Sequence, residues 1–193
     1  MRIHIATDHA GLEFSTQLQH HLSDQGHEVI DHGPLEYEPL DDYPAFCIRA
    51  AQAVVRDQAD GIETLGVVFG GSGNGEQISA NKVRGVRAAL VWSIATAELA
   101  REHNDANVIA IGARQHTFGE AATFIDRFIA TPFSGDERHA RRIGQIAAFE
   151  IDGALEPDPR ASGPRGGRVS EPGVWGGDPY GGESSDAFDP EAG

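Results

Sequence analysis

The chain has 193 residues, 39% of them hydrophobic, and a formal net charge of −15. This length suits one domain with or without a tail, and the acidic balance argues against a nucleic-acid-binding surface, which needs clustered Lys and Arg. One cysteine, Cys47, rules out an intramolecular disulfide and a cysteine-rich zinc site, and no apolar run approaches the ~20 residues of a membrane span, so we expect a cytoplasmic protein without a membrane partner.

The apolar pattern predicts alternating strands and helices. The N-terminus runs directly into the first strand, without the organisation of a signal peptide. Strands are expected over residues 2–7, 27–31, 65–69, 88–92 and 107–111. Helices are expected over residues 11–25, 42–56, 76–82, 93–103, 117–130 and 137–151, with Asp42 and Ser93 as N-caps. Nearly continuous apolar strands separated by helices indicate an α/β fold, with a five-stranded parallel sheet covered on both faces.

The composition changes near residue 154. Residues 154–193 are rich in Gly and Pro and leave no room for a periodic apolar face. Such a segment buries too little apolar surface to offset its ordering entropy, so we predict a disordered acidic tail after a domain spanning residues 1–153.

Three polar or glycine-rich segments follow predicted strands. They are Asp8-His9, the glycine run 70–75 and Gly112-Ala113-Arg114. In open parallel sheets, ligands bind beyond the carboxyl ends of the strands. These three segments are therefore expected to meet at one site.

The glycine run, Gly-Gly-Ser-Gly-Asn-Gly, lies between a buried strand and a helix that begins near Glu76. Glycines let the backbone turn sharply and direct several N–H groups into one space, which attracts an anion, although a simple tight turn would also use glycines. A P-loop needs Gly-Lys-Ser/Thr, and a dinucleotide-binding loop needs a glycine where Glu76 stands. The loop therefore favours a smaller anion, such as an enediolate, beside an acid or base.

Five motifs in register resemble one enzyme family. They are Asp8-His9-Ala10-Gly11, Asp42-Tyr43-Pro44, Gly70–Gly75 leading to Ile78-Ser79-Ala80-Asn81-Lys82, His103-Asn104-Asp105-Ala106-Asn107, and Arg138-His139-Ala140-Arg141-Arg142. Over roughly residues 1–151 the chain resembles type B ribose-5-phosphate isomerases, in the family that includes galactose-6-phosphate isomerase subunits. The resemblance implies a three-layer α/β/α, Rossmann-like fold and interconversion of ribose 5-phosphate and ribulose 5-phosphate without metal or cofactor. It also implies a homodimer or a dimer of dimers, with active sites at the dimer interface.

The resemblance assigns Glu76 as the base that moves a proton between C1 and C2 of the open-chain sugar. In one branch of the family the base is a cysteine at the end of the third strand, where this chain has Gly70. Here Cys47 is expected on a helix in an unrelated segment. A carboxylate in the first turn of a helix, favoured by the helix dipole, would also explain Glu76. The helix terminus should lower the pKa of Glu76 and desolvation by bound sugar should raise it, and the sequence leaves open which effect is larger.

The resemblance gives the remaining roles as well. His103 is the main candidate for opening the sugar ring, and Asp8 is expected to contact sugar hydroxyls. Alternatively, His103 is only a cation in the last turn of a helix, and Asp8 is only a helix-capping residue. His9, Arg138 and Arg142 are candidate phosphate ligands, and Arg114 is expected to reach the phosphate from the neighbouring subunit. Arg138 and Arg142 are spaced i, i+4, so they share one helix face and can bind one anion. A basic helix face that only contacts solvent would show the same spacing. Ser72 and Asn104 are expected to hydrogen-bond the sugar or the loop. Contacts to the substrate or the developing anion are expected from Gly71, Gly73, Asn74 and Gly75.

Three competing functions remain open at this point. An isomerase of a six-carbon sugar phosphate, such as allose 6-phosphate or galactose 6-phosphate, would share every motif. A non-catalytic sugar-phosphate-binding module would not need an ionisable Glu76 beside the glycine run. A nucleotide-binding flavodoxin-like domain is disfavoured by the failed nucleotide motifs.

Overall fold

The computed structural model describes residues 1–34 and 36–154. The predicted tail therefore lies, from residue 155 onward, outside the described residues. The five strands are β1 (Arg2–Ala6), β2 (Glu28–Asp31), β3 (Thr64–Gly70), β4 (Ala88–Leu90) and β5 (Val108–Gly112). The helices are α1 (Leu12–Asp24), α2 (Tyr43–Ala59), α3 (Asn74–Ala80), α4 (Ile94–Asn104), α5 (Phe118–Ala130) and α6 (Glu137–Asp152), and a 3₁₀ turn (His9–Gly11) precedes α1.

The strands form one parallel sheet in the order β2-β1-β3-β5-β4. β3 is central, and all seven of its residues are buried. Its register pairs Val67 with Ile5 on one side and Phe69 with Ile111 on the other. A strand buried on both faces reads as a continuous apolar run, which is why the sequence predicted it well.

Two apolar clusters cover the two faces of the sheet. One joins alternate strand residues such as Val67 and Phe69 to α1, α4 and α5. The other joins Val68 to α2 and α3 and includes the buried Cys47. The arrangement is a three-layer α/β/α fold with five parallel strands, so this prediction is confirmed. Among the described residues, no helix is both long and apolar enough to cross a lipid bilayer.

Helix boundaries differ from the sequence prediction where capping differs. Ser93 caps α4 in a reciprocal capping box with Thr96, as its residue type favours. Asp42 holds the N-cap position of α2, but its side chain has no capping partner among the described residues. α3 begins at Asn74, two residues earlier than expected, and Gly73 just before it takes the left-handed conformation without a side-chain cap.

Candidate active site

Three segments meet at the carboxyl edge of the sheet, as the topology requires. Asp8 follows β1, the glycine loop (residues 70–75) follows β3 and leads to Glu76, and Arg114 follows β5. Together they border one pocket, which opens over the centre of the sheet. Its described lining residues are Asp8, Tyr43, Gly71, Ser72, Gly75, Glu76, Arg114 and Gln115.

The glycine loop turns the chain sharply from β3 into α3. Gly73 has φ of +78°, and a Cβ atom on it would lie 2.8 Å from the carbonyl carbon of Ile111. Glycine is therefore required there by both conformation and space. The Ser72 hydroxyl accepts hydrogen bonds of 3.3 Å from the backbone N–H and the side-chain amide of Asn74. Ser72 thus holds the loop itself in shape.

The carbonyl groups at the start of the loop are held by the turn after β5. Gly70 O accepts from the Ala113 N–H at 2.8 Å, and Gly71 O accepts from the Arg114 N–H at 3.2 Å. In a trans peptide the C=O and N–H groups point in opposite directions. The N–H groups of Gly71 and Ser72 are consequently directed away from that turn.

Glu76 lies in the first turn of α3 and is only 3% exposed. Burial raises the pKa of its carboxyl group, and the negative charge of Asp8 raises it further, against a hydrogen bond from the backbone N–H of Glu76 itself. Burial within the protein therefore already raises the pKa of Glu76, apart from any desolvation by bound sugar. A buried carboxylate with a raised pKa at the wall of a pocket has the properties of a general base.

Asp8 serves two purposes at once. Its Oδ1 accepts a 2.9 Å hydrogen bond from the Ala10 N–H, which caps the 3₁₀ turn, so the capping interpretation is correct. Asp8 is also 9% exposed and lines the pocket with Glu76. Capping fixes where the carboxylate stands, and its position at the pocket lets it contact a ligand.

His9 lies beside this pocket but does not appear in its described lining. Its Nδ1 is 2.7 Å from Oδ1 of Asp41, and its ring meets that of Tyr37 edge-on with centroids 5.9 Å apart. It lines a second hollow together with Glu13 and Tyr37. His9 and Asp8 are consecutive residues that border two different hollows, so a ligand that touches both must span them.

Arg114 lies over the glycine loop of its own chain. A Cβ atom on Gly71 would be 3.4 Å from the Arg114 Nη1 atom. Arg114 therefore lines the Glu76 pocket of its own chain. Its expected contact with the phosphate from a neighbouring subunit stays a prediction.

Four of the expected site residues lie on α4 and α6. His103 and Asn104 end α4, whereas Arg138 and Arg142 lie on α6, and none of the four is among the described residues that line the Glu76 pocket. The His103 ring stacks on the His139 ring with centroids 4.3 Å apart and planes 10° apart. One chain therefore holds the expected site in two parts.

Sequence reasoning missed three residues in these two parts. Tyr43 lines the pocket because Gly75 has no side chain, so the phenol packs directly against the loop. Gln115 follows Arg114 into the pocket. His139 is 4% exposed and is the one buried residue of α6, a helix described along its whole length. Desolvation lowers the pKa of His139, and the nearby His103 and Arg138 lower it further.

One group in the described part of the chain has the composition of a metal site. Potential ligand atoms of Asp8, His9 and Asp41 lie within 4.8 Å of one another. The His9 and Asp41 atoms already bond each other. Catalysis without a metal stays a prediction that activity measurements must test.

Comparisons with known proteins identify the family of this chain. The family model described as Ribose/Galactose Isomerase matches residues 3–146. The chain is 52% identical over 161 residues to ribose-5-phosphate isomerase B of Mycobacterium tuberculosis (strain ATCC 25618 / H37Rv), covering 83% of this chain and 97% of that protein. It is 51% identical over 163 residues to the protein of the same name from Mycolicibacterium paratuberculosis, covering 84% of this chain and all of that protein.

A solved structure also superposes closely. Ribose-5-phosphate isomerase B of Mycoplasma genitalium with bound ribulose-5-phosphate has a TM-score of 0.73 and 38% identity, covering 78% of this chain and 97% of that one. Family model, sequence and fold agree over the region that contains both parts of the site. The chain therefore belongs to the ribose/galactose isomerase family.

Proposed function

We propose that this chain interconverts ribose 5-phosphate and ribulose 5-phosphate. The observation that carries the proposal is the buried Glu76 carboxylate, which lines a pocket with Asp8 at the carboxyl edge of the sheet. Relatives at 51–52% identity bear the name of that activity, and one solved relative holds the ketose product. Family membership supplies the reaction, and the position of Glu76 supplies its base.

The reaction needs one base that gives back the proton it takes. Glu76 removes the proton on C2 of the open-chain aldose, and the released electron pair forms the C1–C2 double bond while O1 becomes negative. The O2 proton then passes to O1, the electron pair left on O2 forms the C2 carbonyl, and the electron pair of the C1–C2 double bond takes the proton back from the Glu76 carboxylic acid at C1. A raised pKa suits this exchange, because a base is most effective when its pKa approaches the working pH.

The enediolate oxygen needs hydrogen-bond donors that are already in place. We assign this role to the backbone N–H groups of the glycine loop, beginning with Gly71 and Ser72. The carbonyl groups of the same peptide units, those of Gly70 and Gly71, accept hydrogen bonds from the turn after β5. The N–H groups therefore point away from that turn, which supports this assignment. Fixed donors aimed at a developing charge lower the barrier without reorganisation during the step.

The proposal includes a second copy of the chain that completes the site. Ring opening is assigned to His103 with Asp8, and phosphate binding to Arg138 and Arg142 with His9. In one chain, however, His103 and the α6 arginines stand apart from the Glu76 pocket. A dimer in which α4 and α6 of one copy face the pocket of the other would unite them. Asn104 would accompany His103 and contact the sugar.

Charge supports the need for the second copy. Among the described lining residues of the pocket, Asp8 and Glu76 are acidic and Arg114 is the one basic residue. A phosphate dianion approaching two carboxylates needs more positive charge than one guanidinium provides. Arg138 and Arg142, one turn apart on α6, would provide it.

The surface of α6 also supports the dimer. Ile146 and Phe149 are 52% and 50% exposed and lie three residues apart, on the same face as the half-buried Ile143. An apolar stripe left open to water marks an interaction surface. A second copy that covers this stripe would carry the α6 arginines with it.

A direct assay tests the activity. Purified protein should form ribulose 5-phosphate from ribose 5-phosphate, and Glu76→Gln should abolish most of the turnover. Allose 6-phosphate and galactose 6-phosphate are assayed beside it, because family membership alone includes six-carbon substrates. A higher kcat/KM on either hexose phosphate would mean that the preferred substrate is a six-carbon sugar phosphate, with the same aldose–ketose isomerisation. Absence of turnover on all three, with retained binding, would favour a non-catalytic module.

A further inference from the structure

A buried carboxylate outside the expected site residues holds His9. Asp41 precedes α2, and its side chain is 7% exposed. Its Oδ1 is 2.7 Å from His9 Nδ1 and accepts a second hydrogen bond, of 3.2 Å, from the His9 backbone N–H. One carboxylate oxygen thus fixes both the backbone and the ring of the same residue.

We propose that Asp41 is the positioning residue for His9 and determines which ring nitrogen faces the substrate phosphate. The inference rests on the proposed function, because it takes His9 as a phosphate ligand. It goes beyond that assignment by naming the group that orients the imidazole.

The chemistry follows from what a carboxylate can do in a hydrogen bond. A carboxylate oxygen only accepts, so the hydrogen in the 2.7 Å contact belongs to Nδ1 of His9. The other nitrogen, Nε2, faces the ligand, and it donates to a phosphate oxygen in the doubly protonated ring, in which both nitrogens carry hydrogen. A histidine whose Nδ1 hydrogen is fixed in this way has a defined tautomer and ring orientation.

The surroundings of the ring restrict it further. Tyr37 meets the imidazole edge-on at an interplanar angle of 89°, and the side chain of His9 remains 25% exposed. The 3₁₀ turn capped by Asp8 holds the backbone on the other side. With the ring held between these groups, binding needs no rotamer search by His9, which lowers the entropy lost when the ligand binds.

The test is a double-mutant cycle on ribose 5-phosphate kinetics. Asp41→Asn can offer an N–H to Nδ1 and so remove the tautomer preference. It should raise KM about tenfold, in line with the loss of a hydrogen bond to a charged group, and leave kcat nearly unchanged. In a His9→Gln background the same substitution should leave KM unchanged, because Asp41 acts through His9. Additive effects on KM in the double variant would overturn the inference.

The chain offers a matched control in a second His–carboxylate pair. His21 Nε2 is 2.8 Å from Asp126 Oδ1, on α1 and α5 away from the pocket. Asp126→Asn makes the same chemical change and should leave KM as it is. A comparable rise in KM for Asp126→Asn would mean that loss of a surface carboxylate, rather than orientation of His9, explains the result.

A spectroscopic measurement is independent of turnover. ¹⁵N-labelled histidine side chains, with the His9 signal assigned from His9→Gln, should report the Nδ1–H tautomer when neutral in the wild type and its loss in Asp41→Asn. An Nε2–H tautomer for His9 in the wild type would refute the positioning role. If the wild type does not turn over ribose 5-phosphate, the proposed function fails, and this spectrum still decides the inference about Asp41.

Discussion

A side chain at position 70 and the carboxylate of Glu76 compete for the same space. A Cβ atom built on Gly70 would overlap both carboxylate oxygens of Glu76. Gly70 ends β3, and Glu76 folds back over it from the first turn of α3. The family branch from which this chain departs is expected to have a cysteine base at this position, where this chain has Gly70. A Cβ atom at position 70 and the present position of the Glu76 carboxylate are therefore incompatible, and the carboxylate would have to move.

The first prediction follows from this overlap. Gly70→Ala should displace the Glu76 carboxylate and lower kcat severely, because a base shifted by about 1 Å loses its alignment with the reacting carbon. Gly119→Ala provides the control, since a Cβ atom on Gly119 meets nothing within 4 Å. Steady-state kinetics of both variants compare a glycine whose Cβ position is occupied with one whose Cβ position is free. Full activity in Gly70→Ala would remove Glu76 from the reacting centre.

The second prediction concerns the base directly. Glu76→Gln keeps the shape of the side chain but cannot take a proton, so kcat should fall by about 10²–10⁴-fold with little change in KM. Cys47→Ala should keep its kcat. Cys47 is fully buried on α2, and burial, with the charges of Glu76 and Asp8, raises the pKa of its thiol, so no reactive thiolate forms. The reverse pattern, with Cys47→Ala inactive, would require a different base.

Glu76 also makes a prediction about stability. Its pKa in the folded protein lies above its unfolded value, so the folded chain binds this proton more tightly, and stability falls as the pH rises through the folded pKa. Glu76→Gln should therefore be more stable than wild type at neutral pH. The difference should vanish below the unfolded pKa of 4.5. Urea unfolding at both pH values measures it.

Glu120 is the control of opposite sign for this stability measurement. Hydrogen bonds from the backbone and hydroxyl of Thr117 lower the pKa of Glu120. Its contribution to stability is present above the unfolded pKa and is lost as the pH falls through the folded pKa. Glu120→Gln should therefore destabilise the protein at neutral pH and cost less in acid. The same sign for both variants would contradict the burial argument.

The sequence predicted the fold well, for reasons visible in particular elements. β3 is buried on both faces, so its apolar run was unambiguous, and Ser93 is a strong N-cap residue that does cap α4. Asp42 has an equally favourable residue type, but its side chain makes no capping bond within the described region. Local preference identifies a helix start, whereas the hydrogen bond itself depends on how the preceding loop runs.

The candidate site could be predicted where a residue with a suitable side chain also directly follows the end of a strand. Asp8, Ser72 and Glu76 follow strand ends, so topology brings them together. Tyr43 belongs to one of the motifs that carry the family resemblance, but its contact with Gly75 at the pocket is a tertiary contact that residue spacing does not predict. The sign of the pKa shift on Glu76 likewise depended on burial, which only the packed structure provides.

The fourth prediction concerns metals. An enediolate path needs none if backbone N–H groups hold the developing oxyanion, so turnover should survive exhaustive dialysis against EDTA. The Asp8–His9–Asp41 group, with ligand atoms within 4.8 Å of one another, is where a divalent ion would be sought otherwise. Activity that is lost on chelation and restored by one divalent ion would overturn the metal-free path.

The last prediction tests whether two chains build one site. Arg142→Ala should raise KM, because the phosphate is bound in both ground and transition states, and a lost charge-assisted contact costs about 1.5–3 kcal/mol. Arg141→Ala, its neighbour on α6, is the control. If Glu76 and Arg142 of different copies share a site, a mixed dimer of Glu76→Gln and Arg142→Ala chains contains one intact site.

Coexpression of the two variants under different affinity tags makes this measurable. Random pairing gives half mixed dimers, each with one of two sites intact, so about a quarter of wild-type activity should return at substrate concentrations well below KM. Tandem purification of the mixed dimer should raise the recovery to about half. Were both residues to serve the site of their own chain, every mixed dimer would carry two damaged sites. Its activity would then stay at the mean of the two parents, and the assignment of Arg142 to the partner's pocket would be wrong.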